Sequence, residues 1–230
     1  TLNGSWDEDV YTLTVQQPST FIFNPMGQLQ GGSYPYTSQP LWTLSGNNGV
    51  VSYQSLYGIN VYTLRPGQYQ LTVSPGWYSS GQSQYSFSML DAHAAATVVP
   101  GTAQTISVSG ASVSLLGVQA QAGTSYLLQD TGSDYGMGVV VLDPYGNVAW
   151  SGNSVYENGA SFSATVDGEY LIAVYNSYTG SARTFSVNVI QSSSTNLGLT
   201  LGAATSGMLE AGQSAVYGFE LDAPTTILMD

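Results

Sequence analysis

Two acidic stretches hold the residues whose types and spacing could do chemistry: Asp7, Glu8 and Asp9 in SWDEDVY, and Asp130 and Asp134 in LQDTGSDYG. A hard divalent cation takes roughly six to eight oxygens, and closely spaced carboxylates on a flexible loop supply them. All five are therefore candidate calcium ligands. Neither stretch has the ligand spacing of an EF-hand loop or of a nonapeptide calcium repeat. The plain alternative is a solvated acidic loop that keeps the chain soluble.

Other chemistry has weaker support. His93, in DAHAAA beside Asp91, is the single histidine, and serine is abundant. A Ser–His–Asp triad needs converging geometry, and no Gly-x-Ser-x-Gly elbow occurs, so His93 reads as a linker residue. Asp143, Asp167 and Glu169 could serve as paired carboxylates across a cleft. Asp143 and Asp167 precede Pro and Gly, however, where Asp favours turns. No catalytic residue is assigned, and the chain is read as not an enzyme. Aromatic residues in Gly/Ser/Pro-rich stretches remain: Tyr34 and Tyr36 in GGSYPYTSQPLW, Trp77 and Tyr78 in SPGWYSSGQSQY. Such rings offer a large contact area at low entropic cost, which makes these four the candidate ligand-binding residues. Trp42 and Tyr85 fall on strand patterns and read as core.

The whole composition narrows the function classes. The chain carries 2 Lys+Arg against 14 Asp+Glu, a net charge of -12, and only Arg65 and Arg183 are strong cations. Binding a phosphate backbone needs clustered Lys and Arg, so nucleic acid is excluded as a partner, as is an anionic membrane surface. Without Lys there is no Schiff-base chemistry, and without Cys no disulfide or thiolate. No run approaches the ~18 apolar residues of a membrane helix. A surface made polar by Ser, Thr, Asn, Gln and Gly rather than by Lys and Glu points to an extracellular or bacterial cell-surface location.

Tyr, Trp, Val, Thr and Ile fit a pleated, half-buried surface, and 27 Gly and 9 Pro supply turns. The same pattern recurs along the chain. TLTVQQPSTFIFN from Thr12, GVQAQAGTSYLLQ from Gly117 and GFELDAPTTILMD from Gly218 align without gaps. LRPGQYQLTV from Leu64 matches TVDGEYLIAV from Thr165, with Gly67 over Gly168 and Tyr69 over Tyr170. Short alternating strands between Gly, Pro and Asn turns predict an all-β chain of tandem antiparallel β-sandwich, jelly-roll-like domains. The expected division is 1–95, first repeat; 96–191, second repeat; 192–230, a linker and the first strands of a truncated third. DAHAAATVVPG and QSSSTNLG are the connecting stretches, either linkers or lead-ins to a first strand.

The order of DVYTLTV, VVVLDPYGN, PGQYQLTV or DGEYLIAV, and QYSFSM resembles the bacterial pre-peptidase C-terminal domain family. The resemblance spans both repeats and the third fragment. It implies a jelly-roll-like sandwich serving as an accessory or adhesive module of secreted proteins, often calcium-assisted, with collagen- or polysaccharide-binding relatives and no catalysis. The Asp-x-Asp common before the family's central strand is absent from the first repeat and partial in the second, where Asp134 stands alone. The expected function is a non-catalytic extracellular repeat module, a spacer or adhesive segment of a larger secreted or surface protein. Its expected partners are neighbouring repeats of the same chain. The alternative is a module that binds a polysaccharide or fibrous matrix protein through Tyr34, Tyr36, Trp77 and Tyr78. Calcium is the one candidate cofactor.

Overall fold

The computed structural model describes residues 2–3, 6–24, 40–46, 49–55, 60–76, 85–109, 112–132, 136–152, 159–176, 182–224 and 226–228, with backbone alone at 49–55. Tyr34, Tyr36, Trp77, Tyr78 and Asp134 lie outside the described residues.

The fold is all-β. The first seven strands are β1 (Asp9–Val15), β2 (Ser19–Asn24), β3 (Leu41–Gly46), β4 (Gly49–Ser55), β5 (Asn60–Leu64), β6 (Gly67–Ser74) and β7 (Ser88–Asp91). A short 3-10 turn, Ala92–Ala94, follows. Next come β8 (Ala96–Val98), β9 (Gln104–Val108), β10 (Val113–Ala120), β11 (Ser125–Asp130), β12 (Met137–Leu142), β13 (Val148–Gly152), β14 (Ala160–Ser163), β15 (Gly168–Asn176) and β16 (Arg183–Gln191). Last are β17 (Ser193–Gly198) and β18 (Gln213–Gly218).

Two sheets with the orders β1-β6-β3-β4 and β5-β2-β7 make the first sandwich. The second repeats those orders as β13-β12-β15-β10-β8 and β14-β11-β16-β9, with β8 and β9 added at the edges. Period-two alternation directs the packing, because successive side chains leave a strand on opposite faces. In β6, Tyr69, Leu71 and Val73 are buried while Gln68 and Gln70 are exposed. With Phe21, Phe23, Trp42 and Leu44 they form the first core, in which the Phe23 ring stacks on Trp42 at 4.3 Å. Trp42 and Tyr85, read from the sequence as core, belong there: Trp42 is buried, and half-buried Tyr85 packs against the cluster. The second core gathers Tyr126, Leu128, Met137, Val139, Val141, Tyr170, Ile172, Phe185 and Val187.

β15 and β12 are buried on both faces. Tyr170, Ile172 and Val174 point into the second core, while Leu171 and Ala173 point the other way, into a third apolar layer. Ile22 of β2 and Leu142 of β12 meet in that layer, both fully buried, with Leu115, Val140, Val61 and Leu90 around them. The sheet β5-β2-β7 of the first sandwich thus lies face to face on β13-β12-β15-β10-β8 of the second. Four sheets stack with three apolar layers between them. The connecting stretch is itself structured: β8 runs parallel to β10, with Leu116 opposite Ala96.

Two glycines show why the turns carry the residues they do. Gly146 (φ +84°) closes the Asp143–Asn147 turn, where its amide donates to the Asp143 carbonyl at 2.9 Å. Asp143 Oδ1 accepts from the amides of Tyr145 and Asn147, an Asp-initiated turn of the kind expected before Pro. Gly168 (φ +142°) begins β15, and a Cβ there would meet Pro144 Cγ at 2.8 Å. In each repeat, the tyrosine two residues beyond the matched glycine bonds back to the preceding turn. The Tyr69 hydroxyl donates to the Arg65 carbonyl at 2.9 Å, and the Tyr170 hydroxyl accepts from the Thr165 amide at 2.9 Å.

Candidate functional site

Polar side chains from both sandwiches converge at the rim of the layer between them. A cavity of about 290 Å³ opens there, with Ser19, Thr63 and His93 contributed by the first sandwich and Asp143, Glu169 and Leu171 by the second. Small repeated sandwiches lead one to expect little cleft, and neither sandwich forms this one alone. It exists because β2 and its neighbours are laid against β15 and the β12–β13 turn.

On its wall Ser19 and His93 meet each other and Asp91 behind them, although 72 and 74 residues separate the serine from its two partners. The Ser19 hydroxyl donates to Asp91 Oδ1 and lies 2.8 Å from His93 Nδ1. His93 Nδ1 is also 2.9 Å from Asp91 Oδ1, and the His93 amide donates to the same oxygen at 3.0 Å. A nucleophilic relay needs the hydroxyl on one ring nitrogen and the carboxylate on the other. Here both share Nδ1, and the serine proton goes to the aspartate, so the three groups do not form a relay of that kind. What the arrangement does is cap the 3-10 turn and tie its end to β2. Burial pushes the Asp91 carboxyl up, but the bonds from Ser19, the His93 amide and the His93 ring outweigh it and hold the group below the usual carboxylate range.

Of the carboxylates read as a possible hydrolytic pair, Asp143 and Glu169 both line this cavity, and each is engaged with backbone or side chains nearby. Asp143 accepts from Tyr145, Asn147 and the Asn147 side-chain amide. Burial pushes its carboxyl up, and the bonds from Asn147, Tyr145 and Gly146 bring it below the ordinary value. Asp167 accepts from the Ala122 amide at 2.8 Å. Glu169 lies across the β10 backbone, where a Cβ on Gly117 would meet its Oε1.

The Asp7–Glu8–Asp9 run does not act as one group. Asp7 accepts from the Asn3 amide at 2.8 Å, whereas Asp9 accepts from the Tyr85 hydroxyl at 2.6 Å. Glu8 between them is exposed. The bond from Tyr85 lowers the Asp9 carboxyl below its ordinary value; burial, then the bonds to Asp9 and Tyr11, push the Tyr85 phenol well above the usual range. Asp130 is 6% exposed; its Oδ1 accepts from the amides of Gly132 and Ser186, while its Oδ2 is buried with no hydrogen-bond partner. One free carboxylate oxygen is far short of the roughly six to eight a calcium ion takes. Among the described residues no group of three or more His, Cys, Asp or Glu could hold a metal ion. Nor does any helix among them have the length and apolarity to cross a membrane.

The Ser19 contact was not legible beforehand. Asp91 and His93 are sequence neighbours, but only the pairing of β2 with β7, Phe21 opposite Asp91, brings Ser19 to them.

No known protein family matches the chain, and no curated protein does. Among solved structures it is similar to the CUB1-EGF-CUB2 domain of human MASP-1/3, at 12% identity over 82% of this chain and 94% of that one, TM-score 0.27. It is similar to the tandem CBM51 modules of a family 98 glycoside hydrolase from Streptococcus pneumoniae, at 8% identity over 83% and 82%, TM-score 0.26. A fucolectin from striped bass (Morone saxatilis) serum matches at 12% identity over 83% and 84%, TM-score 0.22.

Proposed function

We propose that this chain is a non-catalytic extracellular repeat module in which sandwiches of the pre-peptidase C-terminal type, 1–95 and 96–191, are stacked into a stiff spacer for an adhesive or secreted protein. The observation that carries this reading is the third apolar layer. Ile22, Leu142 and Ala173 are fully buried between the two sandwiches. Burying a Leu or Ile side chain contributes about 1.5–3 kcal/mol, so a layer of several resists bending as a flexible linker does not. The third fragment, 192–230, enters the same reading as the beginning of a further repeat.

The test is to break the layer alone. Ile22→Asp places a carboxylate among Val61, Leu90, Leu115 and Leu142, an uncompensated burial that costs several kcal/mol. The expected result is two sandwiches that keep their strand content but reorient independently, read as a rise in the maximum dimension by small-angle scattering. An unchanged scattering curve, together with an unchanged melting profile, would overturn the rigid spacer. Loss of glycan or matrix-protein binding on replacing Tyr34, Tyr36, Trp77 and Tyr78 by Ala would favour the binding-module alternative.

For calcium, the partners of Asp7 and Asp9 diverge, and Asp130 Oδ2, buried without a partner, supplies one oxygen of the roughly six to eight the ion takes, so a site at Asp130 would have to draw its other oxygens from elsewhere. Calcium at ~100 times its Kd would add about 2.7 kcal/mol to stability. That gain should vanish in Asp130→Asn and persist in Asp7→Asn. Coincident melting curves in calcium and in chelator would remove calcium from the reading.

A further inference from the structure

The outer face of β14-β11-β16-β9 carries two apolar residues, Leu127 and Ile190, among exposed Ser and Thr side chains such as Thr105, Ser107, Ser161 and Thr184. In the first sandwich Ile22 of β2 stands opposite Leu90 of β7 and Val61 of β5, and all three belong to the layer between the sandwiches. The same places in the second sandwich hold Leu127 of β11, opposite Ile190 of β16 and Ser161 of β14. Leu127 and Ile190 are half-buried, and no sandwich of the described residues covers them.

A strand of the sort that would cover them has already begun to form. β18 pairs in parallel with β17, Tyr217 opposite Leu197. β10 pairs in parallel with β8, Leu116 opposite Ala96. Both partners are displaced by the 101 residues that separate Gly117 from Gly218, so the two pairs share one register. Val216 then occupies the place of Leu115, which is buried between the sandwiches, yet Val216 is 54% exposed. The start of β18 also lies over the face in question, since a Cβ on Gly212 would meet Ile190 Cγ2 at 2.8 Å.

The occupant is narrowed by what the chain's other sheets offer. Where the second sandwich presents Leu115, Val140, Leu142, Leu171 and Ala173, the first presents Val10, Thr43, Ser45, Gln70 and Thr72 at the same registers. Apart from Val10 those positions are polar, and the apolar face is already covered, so in a second copy the first sheet of neither sandwich matches the seat that Leu127 and Ile190 offer. We propose that the outer face of β14-β11-β16-β9 docks the first sheet of a further repeat that contains β18, seated over Leu127 and Ile190 as the second sandwich is seated over Ile22 and Leu90. The inference rests on the stacked-repeat reading and adds which face of the second sandwich receives the next repeat.

The test extends the full chain by its own residues 130–191, joined after Asp230, which continues the 101-residue period and completes a third sandwich. The chain has no cysteine, so a single introduced thiol reports cover by its labelling rate. Leu127→Cys should label readily in the 230-residue chain and roughly tenfold or more slowly in the extended one, since covered sites react only through local opening. Val10→Cys should label equally in both, and Ile22→Cys should resist labelling in both. A second splice, residues 121–191 joined after Leu221, moves the junction and should give the same protection. Equal labelling of Leu127→Cys in the parent and both extended chains, each with its added strand content confirmed by circular dichroism, overturns the docking face. If Ile22→Cys stays protected in that case, the stacked-repeat reading survives; if it too labels freely, both fall. A concentration-dependent dimer of the 230-residue chain that protects Leu127→Cys would identify a second copy as the occupant and also overturn the proposal.

Discussion

Two carboxylates at the residue scale, Asp91 and Asp9, owe their state to partners far away in sequence. Asp91 is held below the carboxylate range by Ser19 and His93 against the opposing effect of burial. A group whose folded pKa is depressed contributes stability above its unfolded value, near 3.9 for Asp, and loses it as pH falls through the folded value. Asp91→Asn should therefore cost about 1 kcal/mol at neutral pH, the scale of a lost hydrogen bond. That cost should shrink below about pH 4, as urea unfolding at pH 7 and pH 3 would reveal. Asp9 offers a cleaner readout. Its carboxyl is lowered chiefly by the Tyr85 hydroxyl, so Tyr85→Phe should raise the Asp9 pKa towards its ordinary value in a carbon-detected NMR titration. No change there would mean that the 2.6 Å bond does not hold in solution.

Among the elements, turns and strand faces divide the labour. Gly168 combines a backbone angle that L-residues rarely adopt with Pro144 Cγ in the path of any Cβ. Gly168→Ala should cost about 1–3 kcal/mol, measured by urea unfolding of the whole chain. The strands need no special residues, only alternation. β15 reads GEYLIAVYN, an almost continuous apolar run, because both of its faces are covered. β6, matched to it position by position, reads GQYQLTVS because its outer face is wet. A difference of this kind locates a strand within the stack.

In the whole molecule, a net charge of -12 with two cations leaves few ion pairs to make; one close contact of opposite-charge type is His93 Nδ1 with Asp91 Oδ1 at 2.9 Å. Cohesion rests instead on the three apolar layers, which salt does not screen. Raising the ionic strength should accordingly leave the melting temperature level or slightly higher, through reduced self-repulsion. A marked fall in melting temperature with salt would show that ion pairs matter more than the apolar layers. Each sandwich lends the other a face that would otherwise be exposed, which is the source of the stiffness the spacer proposal requires.

The amino-acid sequence by itself determined the all-β fold, the alternation that fills each sandwich, and the placing of Trp42 and Tyr85 in the core. Those follow from local periodicity and turn residues, which act over a few positions. Only the tertiary structure decided that the connecting stretch forms β8 and a capped turn rather than a loose linker. Only it brought Ser19 to Asp91 and His93, and sent Asp7 and Asp9 to different partners. The apolar outer positions Ile22, Leu115, Leu142 and Ala173 were present in the sequence as ordinary strand residues. A strand pattern says which residues leave on the same face, but not what that face meets, and the layer between the sandwiches depends on pairing two faces about a hundred residues apart in the chain.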